Sequence, residues 1–316
     1  MPARTSVLVT GNFSDANMQL MRDAAPAADL HFVGKVADAG NLLEEVDAVA
    51  GTLKAPDLAK ASKLKWVHSW AAGPDNDLIP EMMVSPVVLT SSVGNGAIPL
   101  AEHSIGLMIM LNRDFPRWMR AQADKRWERF THPELKGLTL GIFGLGNSGS
   151  DLALKAKAFH MRVVGLRRRP ELSVPGVDMM YTIAQFHDFL AESDFVVVTA
   201  PATAETTGIF DEAAFRAMKK TAYWICISRG GIADDAALLK ALREGWIAGA
   251  GIDAHSIEPL PSDSPFWDLP NVIITPHNGA TTFGTAQRSV EIFADNLKRF
   301  VDGEPLRNVV DKQAGY

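Results

Sequence analysis

Residues 138–169, LTLGIFGLGNSGSDLALKAKAFHMRVVGLRRR, constrain the fold more than any other stretch of the chain. Leu138 to Phe143 are apolar enough for a buried strand, and Met161 to Leu166 read as a second one. Between them, Gly144-Leu145-Gly146-Asn147-Ser148-Gly149 forms a G-x-G-x-x-G, and Asp151 to His160 have a helical pattern. A glycine-rich turn that opens a helix inside a βαβ unit is the context a dinucleotide fingerprint requires, whereas the motif alone is also met in plain turns. In the fingerprint, Gly144 permits the tight turn, Gly146 lets the backbone approach a pyrophosphate, and Gly149 lets helix and strand pack closely. Free N–H groups and the positive end of the helix dipole then hold the phosphates.

The end of the second strand bears on cofactor choice. An acidic residue about 20 positions past the glycines bonds the ribose 2′-hydroxyl of NAD. This chain carries Arg167, Arg168 and Arg169 there instead. Guanidinium groups pair with a 2′-phosphate through charge-assisted bonds, and the missing acid removes the repulsion. A solvated basic turn is the plainer reading. Position favours NADPH over NADH, with Arg167 or Arg168 on the 2′-phosphate.

The length of 316 residues fits two domains, large enough to bury a core without covalent staples. A net charge of −6 argues against nucleic acid as a main partner. A single cysteine, Cys226, excludes an intrachain disulfide and fits a reducing, cytoplasmic setting. The start, MPARTSVLVT, lacks the apolar core of a signal peptide, and the apolar run Ile105 to Leu111 is far short of the roughly 20 residues that span a bilayer.

Read in order, residues 1 to about 100 alternate strand candidates (Val7–Thr10, His31–Val36, Ala48–Leu53, Trp66–Trp70, Val87–Thr90) with helical or turn segments, as in a parallel α/β sheet. Ala101 to about Arg120 reads as a long helix that Pro116 must kink or end. After the arginines come strands at Asp194–Thr199, Tyr223–Ser228, Gly249–Asp253 and Val272–Thr275, a helix at Asp234–Glu244, and a last helix at Phe283–Val301. The expected fold class is α/β with two Rossmann- or flavodoxin-like domains. Residues 1–100 plus 285–316 would form a discontinuous substrate domain, and 101–284 the dinucleotide domain.

Ionisable residues fall at three strand ends: Arg229, then Asp253 with Glu258, then His277. Each alone has an ordinary explanation, as surface arginine, loop acid or satisfied loop histidine. Strand ends of a doubly wound sheet face one crevice, so together they suggest a catalytic set. Hydride transfer to a 2-oxo acid leaves an alkoxide that needs a proton, which a histidine such as His277 can supply near neutral pH. Glu258 would fix the tautomer of that ring. Arg229 would bind the substrate carboxylate and polarise the carbonyl. Asp253 would support this network or bond the nicotinamide carboxamide, with a purely structural role equally open. Ala200-Pro201, ending the Asp194–Thr199 strand, lie where a cofactor would pass. The N–H groups of Ala72 and Gly73 stand beyond another strand end, where the pattern alone favours an ordinary turn.

These blocks resemble the D-isomer-specific 2-hydroxyacid dehydrogenase family. The resemblance rests on GLGNSGSDLALKAKAF, TAPATAETTGIF, ISRGGIADDAALLKALREGWIAGAGIDAHSIEPLPSDSPFW and LPNVIITPHNGATT, and extends to HSWAAGPDN and VGNGAIPLAEHSIGLMIML. It implies that Arg229, Glu258 and His277 are catalytic and that the Ala72–Gly73 turn binds the substrate carboxylate by its backbone. It places Gly144 to Gly149, Arg167, Arg168, Ala200, Pro201, Ile227, Asp253 and His277 at the cofactor, calls for no metal, and implies a homodimer with its site in an interdomain cleft. The arginines resemble those of NADP-preferring glyoxylate and hydroxypyruvate reductases, so the expected reaction is NADPH-dependent reduction of a small 2-oxo acid to the D-2-hydroxy acid. A non-catalytic NAD(P)-sensing protein and an NAD-linked 2-hydroxyacid, formate or phosphite dehydrogenase are the alternatives. Departures from the family pattern are Cys226 for an asparagine, His255 for an aromatic or aliphatic residue, and Asn278-Gly279 for Ile-Ala. Trp66 and Trp70, beside the Ala72–Gly73 turn, and Trp267, after the Glu-Pro-Leu-Pro block, are pocket candidates, with core packing the plainer reading of each.

Overall fold

A computed structural model of the chain describes residues 4–168 and 173–315, so Arg169 lies outside the described residues. The chain divides into two compact units, Met1–Gly96 with Thr282–Tyr316, and Ala97–Thr281.

The first unit holds a parallel sheet of β1 (Thr5–Thr10), β2 (Ala28–Val33), β3 (Ala48–Ala50), β4 (Trp66–Ser69) and β5 (Val88–Ser91), in the order β2-β1-β3-β4-β5. That is the flavodoxin-like order. Its central strands are buried on both faces: Leu8, Val49, Val67 and Leu89 pack on one side, and Val7, Val9, Ala48, Ala50 and Trp66 on the other. The long helix Phe283–Asp302 returns to this second face, where Phe293 stacks on Trp66 with ring centroids 5.6 Å apart. Thr282 caps its first turn by accepting from the Thr285 N–H, and Gly303 ends it at φ 71°.

The second unit holds seven parallel strands: β6 (Thr139–Phe143), β7 (Arg162–Leu166), β8 (Met179–Tyr181), β9 (Phe195–Val198), β10 (Tyr223–Cys226), β11 (Gly249–Ile252) and β12 (Val272–Ile274). Their order is β12-β11-β10-β9-β6-β7-β8. The chain runs outward from β6 through β7 to β8, then returns to β9 on the other side of β6. The switch point between β6 and β9 is where a doubly wound sheet opens a crevice for a nucleotide. β9 (FVVV) is wholly buried, as a β-branched strand covered on both faces must be.

Several boundaries differ from the sequence reading. The helix expected from Ala101 to Arg120 is two helices, Ala97–Asn112 and Phe115–Ala123. Pro99 lies in the first turn, where its missing N–H costs nothing. The break comes at Asp114, whose φ is 50°, so Pro116 opens the second helix instead of kinking the first. β2 ends at Val33 and is followed by a 3-10 segment from Val36 to Glu44, where a strand had been expected to run to Val36. The helix after the glycines starts at Asn147, not Asp151. Among the described residues no helix is long and apolar enough to cross a membrane.

Candidate active site

The glycine turn joins β6 to the helix Asn147–Ala158 at the switch point. Gly144 has φ 99°, and a Cβ there would sit 2.6 Å from the Ala200 nitrogen, so the turn lies directly on the loop after β9. A Cβ on Gly149 would meet the Gly144 carbonyl oxygen at 2.3 Å and Ile142 Cγ2 at 3.1 Å, which is how closely this helix rides on its strand. Gly146 is different: among the described residues nothing lies within 4 Å of the position its Cβ would take. The N–H groups of Leu145, Gly146, Asn147, Ser148 and Gly149 find no acceptor among the described residues, and no side chain caps the helix. An uncapped N-terminus facing open space fits the pyrophosphate of a dinucleotide. Arg167 and Arg168 follow β7, the neighbouring strand, with Arg168 exposed. Ala200 is buried and hydrogen-bonded to the Phe143 carbonyl, with Pro201 exposed beside it. Ile227 is 3% exposed and its side chain belongs to the core.

Beyond β9, the ends of β10, β11 and β12 carry the ionisable set. His277 Nδ1 faces both carboxylate oxygens of Glu258, at 2.8 and 3.0 Å. Nδ1–H therefore donates and fixes the tautomer, and Nε2 has no partner among the described residues. Glu258 also accepts the His255 N–H at 2.8 Å. Burial pushes the Glu258 carboxyl upward, but the His255 N–H and the hydrogen bond and charge of His277 outweigh it and hold the group below the usual carboxylate range. His277 has φ 51°, a conformation that a non-glycine residue adopts only when its surroundings impose it.

Those surroundings centre on Asp253, whose side chain is wholly buried. Its carboxylate accepts the Thr275 hydroxyl at 2.6 Å and the N–H groups of Asn278 and Gly279 at 2.9 and 3.0 Å. Its carbonyl accepts the His277 N–H at 2.8 Å. Of the roles expected for Asp253, the geometry displays the supporting one: both oxygens are occupied in holding the histidine loop. Gly279 is needed because a Cβ would come within 2.9 Å of Asp253 Oδ2.

Arg229 is half-buried after β10 and donates from Nη1 to the Ser228 carbonyl at 2.8 Å. Cys226 lies beneath it, with Sγ 3.3 Å from the Arg229 carbonyl, and burial pushes its thiol up to about 11. The loop is stitched to its neighbour, since the Gly231 N–H donates to Ser256 Oγ, and that hydroxyl donates to Asp235, both at 2.9 Å. His255 ties the other side through Nε2, 3.1 Å from the Thr275 carbonyl. One continuous network thus joins the loops bearing Arg229, Glu258 and His277. The sequence reading named all three residues but not Ser256, Asp235, Thr275 or His103, whose Nε2 lies 3.0 Å from Thr275 Oγ1. Hydroxyls at ordinary loop positions give no signal in a single sequence.

In the other unit, Ala72 and Gly73 follow β4 in a turn whose N–H groups at these two positions find no acceptor among the described residues. Trp66 is 1% exposed and belongs to the core, which removes it as a pocket residue.

Comparison with known proteins agrees with this architecture. Residues 105–279 match the model of the D-isomer specific 2-hydroxyacid dehydrogenase NAD binding domain. A glyoxylate reductase of Korarchaeum cryptofilum is 33% identical over 305 residues, 94% of this chain and 90% of that protein. A family protein of Aeromonas salmonicida superposes with a TM-score of 0.88 at 32% identity, over 98% of this chain and 100% of that one. An NADPH-dependent glyoxylate/hydroxypyruvate reductase of Sinorhizobium meliloti, solved with NADP and sulfate, gives 0.85 at 30% identity, over 99% and 100%. The chain belongs to the D-isomer specific 2-hydroxyacid dehydrogenase family of NAD(P)-dependent oxidoreductases.

Proposed function

We propose that the chain reduces a small 2-oxo acid of the glyoxylate or hydroxypyruvate kind to the D-2-hydroxy acid, with NADPH preferred over NADH. The observation that carries the reading is the Glu258–His277 pair at the end of β12. One ring nitrogen is held by a charged carboxylate, and the other is left without a partner among the described residues.

The residues at the switch point fit the nucleotide. Five N–H groups without acceptors among the described residues and the open side of Gly146 suit its pyrophosphate, and Arg167 and Arg168 suit a 2′-phosphate. When bound, the reduced nicotinamide supplies the hydride. The protein does the rest. His277 Nε2 delivers a proton to the alkoxide oxygen, and Glu258 stabilises the imidazolium before transfer. Arg229 holds the substrate carboxylate and polarises the carbonyl. In the other unit, the Ala72 and Gly73 N–H groups are backbone donors that suit a substrate carboxylate. Asp253 keeps the histidine loop in its left-handed conformation.

Relatives named as glyoxylate reductases, and the NADP-bound reductase of S. meliloti, support the substrate class and the cofactor preference. Initial rates with NADPH and NADH against glyoxylate, hydroxypyruvate, pyruvate and longer 2-oxo acids test both. The reading expects turnover with a two- or three-carbon acid and a higher kcat/KM with NADPH. No turnover of any 2-oxo acid with either cofactor would revive the non-catalytic alternative, and equal kcat/KM values would remove the preference.

A further inference from the structure

His68 stands in the middle of β4 and its side chain is entirely buried, among the rings of Trp66, Trp70 and Phe293. It lies in a line of hydrogen bonds that runs from Trp66 to Ser69. The Trp66 indole N–H has no choice but to donate, and it donates to Thr90 Oγ1 at 2.8 Å. Thr90 Oγ1 also lies 2.8 Å from His68 Nδ1. With the single Ser92 hydroxyl proton turned to the Ser69 carbonyl, the neutral ring carries its own on Nε2, which donates to Ser92 Oγ at 3.1 Å, and Nδ1 accepts from Thr90. The Ser92 hydroxyl in turn donates to the Ser69 carbonyl at 3.2 Å. Burial agrees with a neutral ring, since it pushes His68 down to about 3.

The line ends on the turn that matters. The Ser92 N–H donates to the carbonyls of Ser69 and Ala71, at 3.1 and 3.0 Å. The Ser69 hydroxyl is bonded to the buried carboxylate of Asp77 and accepts the Ala71 N–H at 3.3 Å. Ser92 thus fastens the peptides that precede the Ala72 and Gly73 N–H groups, which have no acceptor among the described residues. The orientation of its hydroxyl is set by the bond from His68 Nε2.

We propose that His68 is a positioning residue for substrate: through Ser92 it aims the Ala72 and Gly73 N–H groups at the carboxylate of the 2-oxo acid. The inference rests on the reductase reading of the site and deepens it, because it adds a buried residue with no part in the chemistry to the determinants of substrate affinity.

The two ring nitrogens are separable by substitution. His68→Gln can keep a donor toward Ser92, whereas His68→Asn keeps only an acceptor on the Thr90 side. His68→Leu removes both, and Ser92→Ala removes the receiving oxygen with little change of volume. KM for the 2-oxo acid, kcat at saturation, Kd for NADPH and Tm are measured for each. His68→Leu, His68→Asn and Ser92→Ala are expected to raise KM about tenfold, the size of one hydrogen bond lost from binding, with kcat and the NADPH Kd within about twofold of wild type. His68→Gln should restore most of the KM. A merely structural role would lower Tm in all the variants without separating the glutamine from the asparagine variant. An unmoved KM in Ser92→Ala or in folded His68→Leu overturns the inference while the reductase reading stands. A wild-type chain inactive on every 2-oxo acid overturns the reading and the inference with it.

Discussion

Two glycines of the nucleotide turn offer its sharpest test, because alanine at each is expected to do opposite things. In Gly149→Ala the new methyl carbon would stand 2.3 Å from the Gly144 carbonyl oxygen, 2.9 Å from Thr199 Oγ1 and 3.1 Å from Ile142 Cγ2. The nearest obstacle is backbone, so relief requires the helix Asn147–Ala158 to lift from β6. Overpacking of this kind costs about 3 kcal/mol. At roughly 2–4 °C for each kcal/mol in a unit of this size, the melting transition should fall by about 6–12 °C. In Gly146→Ala the methyl meets none of the described residues within 4 Å, and the backbone, at φ −80° and ψ −158°, suits any residue. Stability should stay within about 0.5 kcal/mol. The methyl would occupy the space assigned to the pyrophosphate, so the NADPH Kd should rise tenfold or more. Thermal melts followed by circular dichroism and cofactor titrations by tryptophan fluorescence measure both. Wild-type cofactor affinity in Gly146→Ala would refute the phosphate assignment, and a wild-type melt in Gly149→Ala would refute the packing argument.

Other expectations follow from the remaining geometry. His277→Ala should lose turnover by at least about a hundredfold while NADPH still binds, and full activity in that variant would remove the proton donor. Arg168→Ala should lower kcat/KM with NADPH about tenfold and leave the NADH value unchanged, and equal effects on both cofactors would count against a 2′-phosphate contact. Because His68 is neutral when folded and protonates readily when unfolded, the unfolded chain binds the extra proton between about pH 6.5 and 3. Stability contributed by this group is therefore complete above about pH 6.5 and declines as pH falls, by roughly 1.4 kcal/mol for each pH unit. Urea denaturation between pH 7 and 4 should give a slope in His68→Leu that is shallower than that of wild type by about this amount.

Much of this architecture is legible in the sequence alone. The alternation of β-branched runs with helical segments is a direct consequence of burying strands on both faces, so β6, β7, β9 and β10 could be placed to within a residue or two. Glycines at Gly144 and Gly149 were readable because steric exclusion leaves no other residue in such contacts. Arg229, Glu258 and His277 were named from their strand-end positions, and the structure ties their loops into one network. Short elements escaped. The strand Met179–Tyr181 and the helices Phe186–Glu192 and Glu212–Ala217 owe their form to tertiary packing, since segments of this length have little propensity of their own. The helix start at Asn147 was hidden because its first turn is polar, glycine-rich and uncapped. His68 passed unnoticed as one more member of a strand, for nothing in Trp66-Val67-His68-Ser69 announces that Thr90 and Ser92 will bracket its ring.

His277, its acidic partner Glu258, Arg229 and the glycine turn are all borne by Ala97–Thr281, whereas the other unit carries the Ala72–Gly73 bend of main chain to which we assign a carboxylate-binding role. Main-chain donors recognise a negative charge and are blind to whatever hangs from the neighbouring carbon. On the proposed roles, one part of substrate recognition is therefore inherited on a different length of polypeptide from the proton chemistry. A lineage can exchange side chains around that bend, and so acquire a taste for bulkier or smaller acids, without retuning the machinery that moves the proton.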